Sequence, residues 1–504
     1  MVYDIKSLLY MYIIITKLQG FFSFSLLCNQ PLRLVSLTSS PIREQISPLL
    51  GGAACEASRG FSTTKNSIFN WKSNYDLYKK IYLYFLKQDM NLFEELQRRG
   101  LIKDTAGEDL EKVINGCNAT FYRGTDPTAD SLHIGHYSSL ITVKRLAKAG
   151  HHPILLVGGA TGLIWDPRPT AEREIIAYET VQKNFEWLKK QVTELFDGNV
   201  EVVNNYDWTK DVSILEFLRE IWKYINVSYM LNKDIISRRL ESGITFAEFT
   251  YTLLQWYDFL HLYETKNCIM QVEWSDQWGN ITTGIELINK KLWKNAYAFT
   301  MPLILDNAGN KFGKSAWNAL WLDKNKTSPY EIYQYLVNSD DNKVEEYLKV
   351  FTFLSPDEII ETMKKHNEAP ENRLAQKTLA KEFITDLHGQ DEYEKVQKII
   401  EILFGNENKM ELISKLNKDE ILTLTKATNW MKMEWDEFRI LDLCTQSWLT
   451  ESNWEAKKMI QSWAIYCNEE KITDIQKVIT KADAVNWVLL LRKGKKVNKA
   501  IILN

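Results

Sequence analysis

Between Ala119 and Asp166 the chain alternates in a way few folds accommodate. A short apolar segment, a turn containing glycine and an amphipathic stretch lead to a second apolar run, Pro153-Ile154-Leu155-Leu156-Val157, which ends in Gly158-Gly159-Ala160-Thr161-Gly162. Strands that alternate with helices predict an α/β fold with a doubly wound parallel sheet, because parallel neighbours need a crossover connection. Ligands of such sheets sit beyond the carboxyl ends of the strands, which is where this glycine-rich turn falls. Helical periodicity then runs from Thr170 to Phe196 and from Asp211 to Glu264. A second turn, Asp306-Asn307-Ala308-Gly309-Asn310, precedes Lys311-Phe312-Gly313-Lys314-Ser315.

Length extends the reading beyond this one sheet. At roughly 100 to 200 residues per domain, 504 residues should hold about three domains. With 62 Lys and Arg against 65 Asp and Glu, the net charge is -3, so a nucleic-acid partner would have to be held by a local basic patch. The six cysteines, at 28, 55, 117, 268, 444 and 467, form no CxxC pair and no metal spacing, which predicts reduced thiols and no protein-bound metal. Glycine and tryptophan are both out of proportion. Averages of about 7% and about 1% would give roughly 35 Gly and roughly five Trp. The chain has 22 and 17.

Residues 1–89 differ from the rest. An apolar run from Leu8 to Ile15 is broken by Lys17, Gln19 and Gly20, too short to span a membrane, and a Ser- and Arg-containing stretch follows. This extension reads as a start placed too far upstream, with the compact protein opening at Met90 and a cytoplasmic location, or else as a transit segment to an organelle. Residues 90–325 carry the α/β pattern. Residues 326–430 read as almost wholly helical, and 431–504 as short helices and strands with a basic run.

Two segments carry chemistry. His133-Ile134-Gly135-His136 follows Asp126-Pro127-Thr128-Ala129-Asp130 at the opening of a helix, where two imidazoles and a glycine suit a nucleotide phosphate; a metal pair or an incidental helix cap is the other reading. Lys311 and Lys314 flank a flexible glycine, a device for neutralising charge on a transferring phosphate. Between them, Tyr251, Gln255 and Asp258 fall at i, i+4 and i+7, a polar stripe where a core helix should be apolar.

Taken together, Tyr122 to His136 (YRGTDPTADSLHIGH), Val157 to Asp166 (VGGATGLIWD), Ser275 to Asn280 (SDQWGN) and Lys311 to Ser315 (KFGKS) closely resemble the bacterial and organellar tyrosyl-tRNA synthetases. The likeness runs from Met90 to the end, through Thr327-Ser328-Pro329-Tyr330, and finishes in a segment similar to the S4 RNA-binding module. The resemblance implies a class I catalytic domain, a helical anticodon-binding domain and an S4-like domain. It implies L-tyrosine, ATP with Mg²⁺ and tRNA(Tyr) as substrates, and a homodimer with much of its interface between Trp208 and Leu303.

By the same resemblance, Thr128, His133, His136, Lys311 and Lys314 would act on the phosphates. Gly124, Asp126, Gly135, Asp276, Phe312, Gly313 and Ser315 would complete the ATP site, with Trp274 beside the ribose. Tyr122 and Asp258 would meet the phenol of tyrosine, Asp166, Tyr251 and Gln255 its ammonium, and Gln277 its carboxylate. Lys457, Lys458, Arg492, Lys493, Lys495 and Lys496, with Lys471, would face RNA. A different nucleotidyl-transferring enzyme and a catalytically inactive RNA-binding homologue are the competing readings.

The chain departs from the family pattern in one repeated way. Trp165, Trp222, Trp274, Trp293, Trp317, Trp448, Trp463 and Trp487 stand where the pattern has glycine, while Trp208, Trp278 and Trp321 stand where it also has tryptophan. Such uniform exchange is expected if UGA encodes glycine in the source and has been read as tryptophan, and it matches the opposite Gly and Trp anomalies. The loop Arg168-Pro169-Thr170 is also one residue shorter than a common family form, leaving Arg173 alone for the phosphate, and Arg123 replaces a small residue.

Overall fold

The computed structural model describes residues 90–164, 176–231, 236–237, 243–305, 309, 312, 319–405, 407–428, 431–433, 437–494 and 497–503. Residues from Asp89 onward form one compact unit. Its centre is a six-stranded sheet of β1 (Thr105–Ala106), β2 (Thr120–Thr125), β3 (His152–Val157), β4 (Glu201–Asn204), β5 (Cys268–Trp274) and β6 (Tyr297–Met301), in the order β1-β6-β5-β2-β3-β4. All neighbours are parallel except β1 and β6. The chain winds outward from β2 through β3 to β4, then returns to lay β5 on the other side of β2. The switch point therefore lies between β2 and β5, and a crevice opens at their carboxyl ends.

Four helices frame that crevice: α1 (Ile134–Lys148), α2 (Tyr178–Leu195), α3 (Phe246–Lys266) and α4 (Trp278–Leu292). Helix α1 is buried on nearly every side, Lys144 and Arg145 included. Those two cations are tolerated because each is paired: Lys144 with Asp386 at 2.8 Å, and Arg145 with Glu95 at 3.1 Å and the Thr352 carbonyl at 2.7 Å.

On the side away from the sheet, α1 is covered by a helical layer of α5 (Pro329–Val337), α6 (Asp341–Phe351), α7 (Pro356–Glu368), α8 (Leu374–His388), α9 (Gln390–Phe404), α10 (Lys409–Ser414) and α11 (Lys418–Ala427). Sequence sets several of its starts. Ser328 with Glu331 and Ser355 with Glu358 are reciprocal capping boxes, each with proline in the first turn, and Asn417 with Glu420 is a third. One apolar core, from Leu96 to Leu424 and beyond, is shared by the sheet and this layer.

The carboxyl-terminal part is a five-stranded sheet, ordered β10-β9-β12-β13-β7, and a β11–β8 ribbon. Its strands are β7 (Met431–Met433), β8 (Glu437–Arg439), β9 (Ile465–Cys467), β10 (Glu470–Lys471), β11 (Val478–Thr480), β12 (Val488–Lys493) and β13 (Val497–Leu503). Helices α12 (Ile440–Gln446) and α13 (Asn453–Gln461) pack on it. Strand alternation divides β12 between two cores: Leu489 and Leu491 join Ile440, Leu443 and Ile460, whereas Val488 and Leu490 join the helical layer.

The helix expected over 211–264 is not continuous. Ser213 caps a helix at Ile214–Glu220, a tight turn covers Trp222–Tyr224, Val227–Leu231 is helical, and α3 begins afresh where Thr245 and Glu248 cap each other. Local capping thus overrides a periodicity that runs on through the breaks. Among the described residues, no helix is long and apolar enough to cross a membrane.

Candidate active site

The carboxyl end of β2 delivers Tyr122, Arg123 and Gly124 to the switch point, and α1 starts at its mouth. His133 is the N-cap of α1. Its Nδ1 accepts the Gly135 N–H at 3.1 Å, while His136 Nδ1 accepts the His133 N–H at 3.2 Å, and the two rings lie 3.9 Å apart. With both Nδ1 atoms accepting from the main chain, neutral rings carry their protons on Nε2. This is the geometry of a helix cap presenting imidazole donors, and it leaves Nδ1 of neither ring to a metal. A Cβ on Gly135 would meet the His133 ring at 2.8 Å and the Phe312 carbonyl at 3.1 Å, so only glycine fits between them.

A cavity of about 220 Å³ adjoins these rings, lined by Arg123, His133, His136, Trp274, Asp276 and Phe312 among others. Asp276 lies on the turn after β5, exposed at the rim, and Trp274 ends β5. Phe312 is buried against Tyr347, Phe351 and Tyr335 of the helical layer, at 4.6, 4.8 and 5.4 Å. Arg123 is also buried; its nearest carboxylate is Glu273, 3.9 Å away, and its Nε and Nη1 have no hydrogen-bond partner. The second Glu273 oxygen accepts the Gly124 N–H. Burial pushes the Glu273 carboxyl up to about 7.

Deeper in, Asp258 of α3 is buried. Its two oxygens accept from Asn205 Nδ2 at 3.0 Å and Trp208 Nε1 at 2.9 Å, and burial pushes its carboxyl up to about 7 against the pull of those two donors. Tyr122 is buried too, packed on Phe259 at 5.3 Å, its hydroxyl without a partner. Its phenol is raised well above the usual value, mainly by burial and then by the Asp258 charge.

A continuous chain of polar contacts links Asp258 to the signature turn. Asn205 donates to Thr161 Oγ1 at 3.2 Å, Thr161 to Asp126 Oδ1 at 2.8 Å, and Tyr251 to Asp126 Oδ2 at 3.1 Å. Gly158 lets this chain close, because a Cβ there would collide with Thr161 and Asp126. One turn along α3 from Tyr251, Gln255 donates to Gln277 Oε1 at 3.2 Å. Asn280 bridges the two, donating at 2.8 Å to Gln255 and at 3.0 Å to Gln277.

Tyr122, Gly124, Asp126, His133, Gly135, His136, Tyr251, Gln255, Asp258, Trp274, Asp276, Gln277 and Phe312 thus gather along one crevice. Thr128 lies exposed on the turn beside Asp126. Asp166, Lys311, Gly313, Lys314 and Ser315 lie outside the described residues, as do Arg168, Arg173, Trp165 and Trp317. In the carboxyl-terminal sheet, Arg492 stacks on Tyr466 at 3.8 Å and reaches Glu469 at 3.4 Å, and Lys493 pairs with Glu455 at 2.7 Å. Both cations are therefore partly committed within the fold. Lys457 is exposed, Lys458 sits 5.5 Å from the Trp454 ring, and Lys495 and Lys496 lie outside the described residues.

Residues 115–405 match the family of class I tRNA synthetases for W and Y, and residues 420–501 match the carboxyl-terminal domain of SYY-like tyrosine–tRNA ligases. The chain belongs to the tyrosine–tRNA ligases of class I. It is 42% identical over 416 residues to the tyrosine–tRNA ligases of Streptococcus suis and Streptococcus pyogenes, spanning 81% of this chain and 98% of each relative. The fold resembles the carboxyl-terminally truncated mitochondrial tyrosyl-tRNA synthetases of Aspergillus nidulans (32% identity, TM-score 0.57) and Coccidioides posadasii (29%, 0.55). These matches cover 63% and 65% of this chain, and 95% and 98% of the two structures.

Thr161, Asn205, Trp208 and Asn280 hold the tyrosine–tRNA ligase crevice together, yet sequence reasoning gave them no role. Trp208 and Asn280 were visible only as residues that fit the family pattern, and Thr161 only as part of a glycine-rich turn.

Proposed function

We propose that the crevice runs the two-step tyrosine–tRNA ligase reaction with the phenol of L-tyrosine seated at Asp258. The observation that carries this reading is a buried carboxyl, fixed by Asn205 and Trp208, beside the unpartnered hydroxyl of Tyr122. Such a pair supplies an acceptor and a donor in an otherwise apolar pocket, and a ring lacking the hydroxyl would leave both unpaired. Gln255, Gln277 and Tyr251 line the path from that pocket to the α1 terminus, suited to the amino acid's ammonium and carboxylate, with Asp166 joining them by family resemblance.

The tyrosine carboxylate attacks the α-phosphate of ATP, forming the P–O bond of tyrosyl-adenylate as the bond to pyrophosphate breaks. The terminal ribose hydroxyl of tRNA(Tyr) then attacks the adenylate carbonyl and AMP leaves. His133 and His136 donate to phosphate oxygens as charge moves onto them, at the positive end of α1. Lys311 and Lys314 close over the pyrophosphate by family resemblance, and Mg²⁺ arrives with the nucleotide as part of the substrate. Asp276 takes the ribose hydroxyls. Lys457, Lys458 and the basic run at the carboxyl terminus hold the tRNA.

Tyrosine-dependent exchange of pyrophosphate into ATP tests this assignment. Exchange with tyrosine and not with phenylalanine is expected from the wild-type pocket, and loss of that discrimination on Asp258→Asn would follow. Equal exchange with both amino acids would refute the seating of the phenol at Asp258.

A further inference from the structure

Four of the tryptophans that depart from the family pattern share a backbone conformation which bulky L residues avoid. Trp293, Trp448, Trp463 and Trp487 have φ of 58°, 57°, 62° and 65°. No other tryptophan among the described residues has a positive φ. Their surroundings are the places where proteins use glycine. After α12, the Trp448 N–H bonds to Thr445 and the Leu449 N–H reaches back to Cys444; after α13, Trp463 bonds to Ile460 and Ala464 to Met459. Both are Schellman caps with tryptophan at the left-handed position. Trp293 closes α4 by a single bond to Asn289, the simpler left-handed cap. Asn486-Trp487, with φ of 50° and 65° between the paired Val485 and Val488, is a two-residue hairpin turn of the kind that Asn-Gly forms.

The chain supplies its own controls. Gly100 and Gly150 occupy the same left-handed position in two further Schellman caps, where Gly100 bonds to Gln97 and Leu101 to Leu96, and Gly150 to Ala147 and His151 to Leu146. A fifth such cap follows α2, where Asp197 (φ 51°) bonds to Glu194 and Gly198 to Thr193, so the five motifs carry two glycines, two tryptophans and one aspartate, a short polar residue that tolerates this conformation as a bulky one does not. The four indoles also lie mostly in water: Trp293 is 87% exposed and Trp448 79%, with Trp487 and Trp463 above half, the last beneath the Lys471 ammonium at 4.6 Å. By contrast, Trp208, Trp256 and Trp321 have negative φ and are buried or half-buried.

A fifth position argues from space. Trp274 lines the cavity beside His133, His136 and Asp276, and with the indole there the cavity is about 220 Å³, below the roughly 300 to 1,000 Å³ of small-molecule sites. Trp222, also inside the described residues, has an indole N–H that is buried without a partner.

We infer that the natural polypeptide carries glycine at these six positions, and that UGA is the triplet concerned. UGA differs by one base from the glycine codon GGA and by one base from the tryptophan codon UGG, so a glycine tRNA with one altered anticodon base would read it. The same codon assignment covers Trp165 and Trp317. It does not depend on the proposed reaction, since four of the six positions are argued from backbone alone.

The test is peptide mass spectrometry of the protein purified from the organism that makes it. Trypsin releases residues 440–457, which hold both Trp448 and Trp454; the expected peptide has glycine at 448 and tryptophan at 454. Tryptophan at both would overturn the inference. A second measurement compares two recombinant chains, one with tryptophan and one with glycine at all eight positions, Trp165 and Trp317 included. The glycine chain should melt several degrees higher and bind ATP by calorimetry at least ten-fold more tightly, whereas equal melting and equal affinity would refute the steric and backbone argument. Native glycine at 448 with no pyrophosphate exchange from the glycine chain would count against the enzymatic assignment and leave the codon assignment standing.

Discussion

With the phenol seated at Asp258 as proposed, recognition of tyrosine is coupled to pH. The Asp258 carboxyl titrates near 7 because burial disfavours the charge. The ionised form is the better acceptor for a phenol, so the tyrosine KM should fall as pH rises from 6 to 8, and initial rates across that range should show the Asp258→Asn variant with a flat profile. Losing a charged acceptor should also raise that variant's KM roughly ten- to hundred-fold. Stability moves the opposite way. A carboxyl whose folded pKa lies above its unfolded value contributes stability that is complete below about pH 4 and lost as pH rises through about 7, and Glu273 behaves alike. Denaturant melts at pH 5 and pH 8 should therefore differ less in Asp258→Asn than in wild type. Among the imidazoles, His136→Ala should lower kcat for exchange about 10² to 10³-fold with a smaller change in ATP KM, as removal of a donor to developing charge does. At this scale the sequence was legible where a motif places side chains, as it places His133 and His136 at the start of α1 beside the cavity. It was silent on Asn205 and Thr161, ordinary polar residues that matter only because sheet register sets one beside Asp258 and the other beside Asp126.

Pairs of elements fix the crevice walls, and their contacts can be tested singly. Helices α3 and α4 are joined at the site by the Gln255, Gln277 and Asn280 amides. Asn280→Ala removes the bridge while leaving both glutamines, and should raise tyrosine KM several-fold with kcat changed less, read from steady-state exchange. Strands β2 and β5 are joined by Arg123 and Glu273, both buried. Arg123→Ala strands a buried carboxylate and should cost on the order of 3 kcal/mol in urea melts, with Arg123→Ala combined with Glu273→Gln recovering part of the loss. Element type was readable for the strands, which are near-continuous apolar runs, and for the helical domain entered at Ser328-Pro329. The break of 211–264 into short helices was not, because apolar spacing persists across it while Ser213 and Thr245 restart the backbone.

Across the whole molecule, the apolar side chains left in water suggest where association occurs. Ile214, Leu215, Val227 and Phe246 are 76%, 79%, 62% and 70% exposed, all within the segment expected to pair two copies. If they form a homodimer interface, Leu215→Asp should shift sedimentation from dimer to monomer; an unchanged dimer would move the interface elsewhere. Domain order was legible from composition, because lysine-rich helices and short basic strands look unlike an α/β core. The continuity of that core was not, since it rests on pairings some 250 residues apart, such as Arg99 with the Leu354 carbonyl at 2.6 Å and Tyr137 with Asp386 at 2.6 Å. Helix α1 is the clearest case. Its first turn holds the imidazoles, its middle is bolted to α6 and α8 through Tyr137, Lys144 and Arg145, and Phe312 is seated in the same aromatic cluster. A rigid rod fastened this way acts as a lever: a push on the helical layer is passed along the rod, over about three turns of helix from Arg145, to the two imidazoles at its first turn.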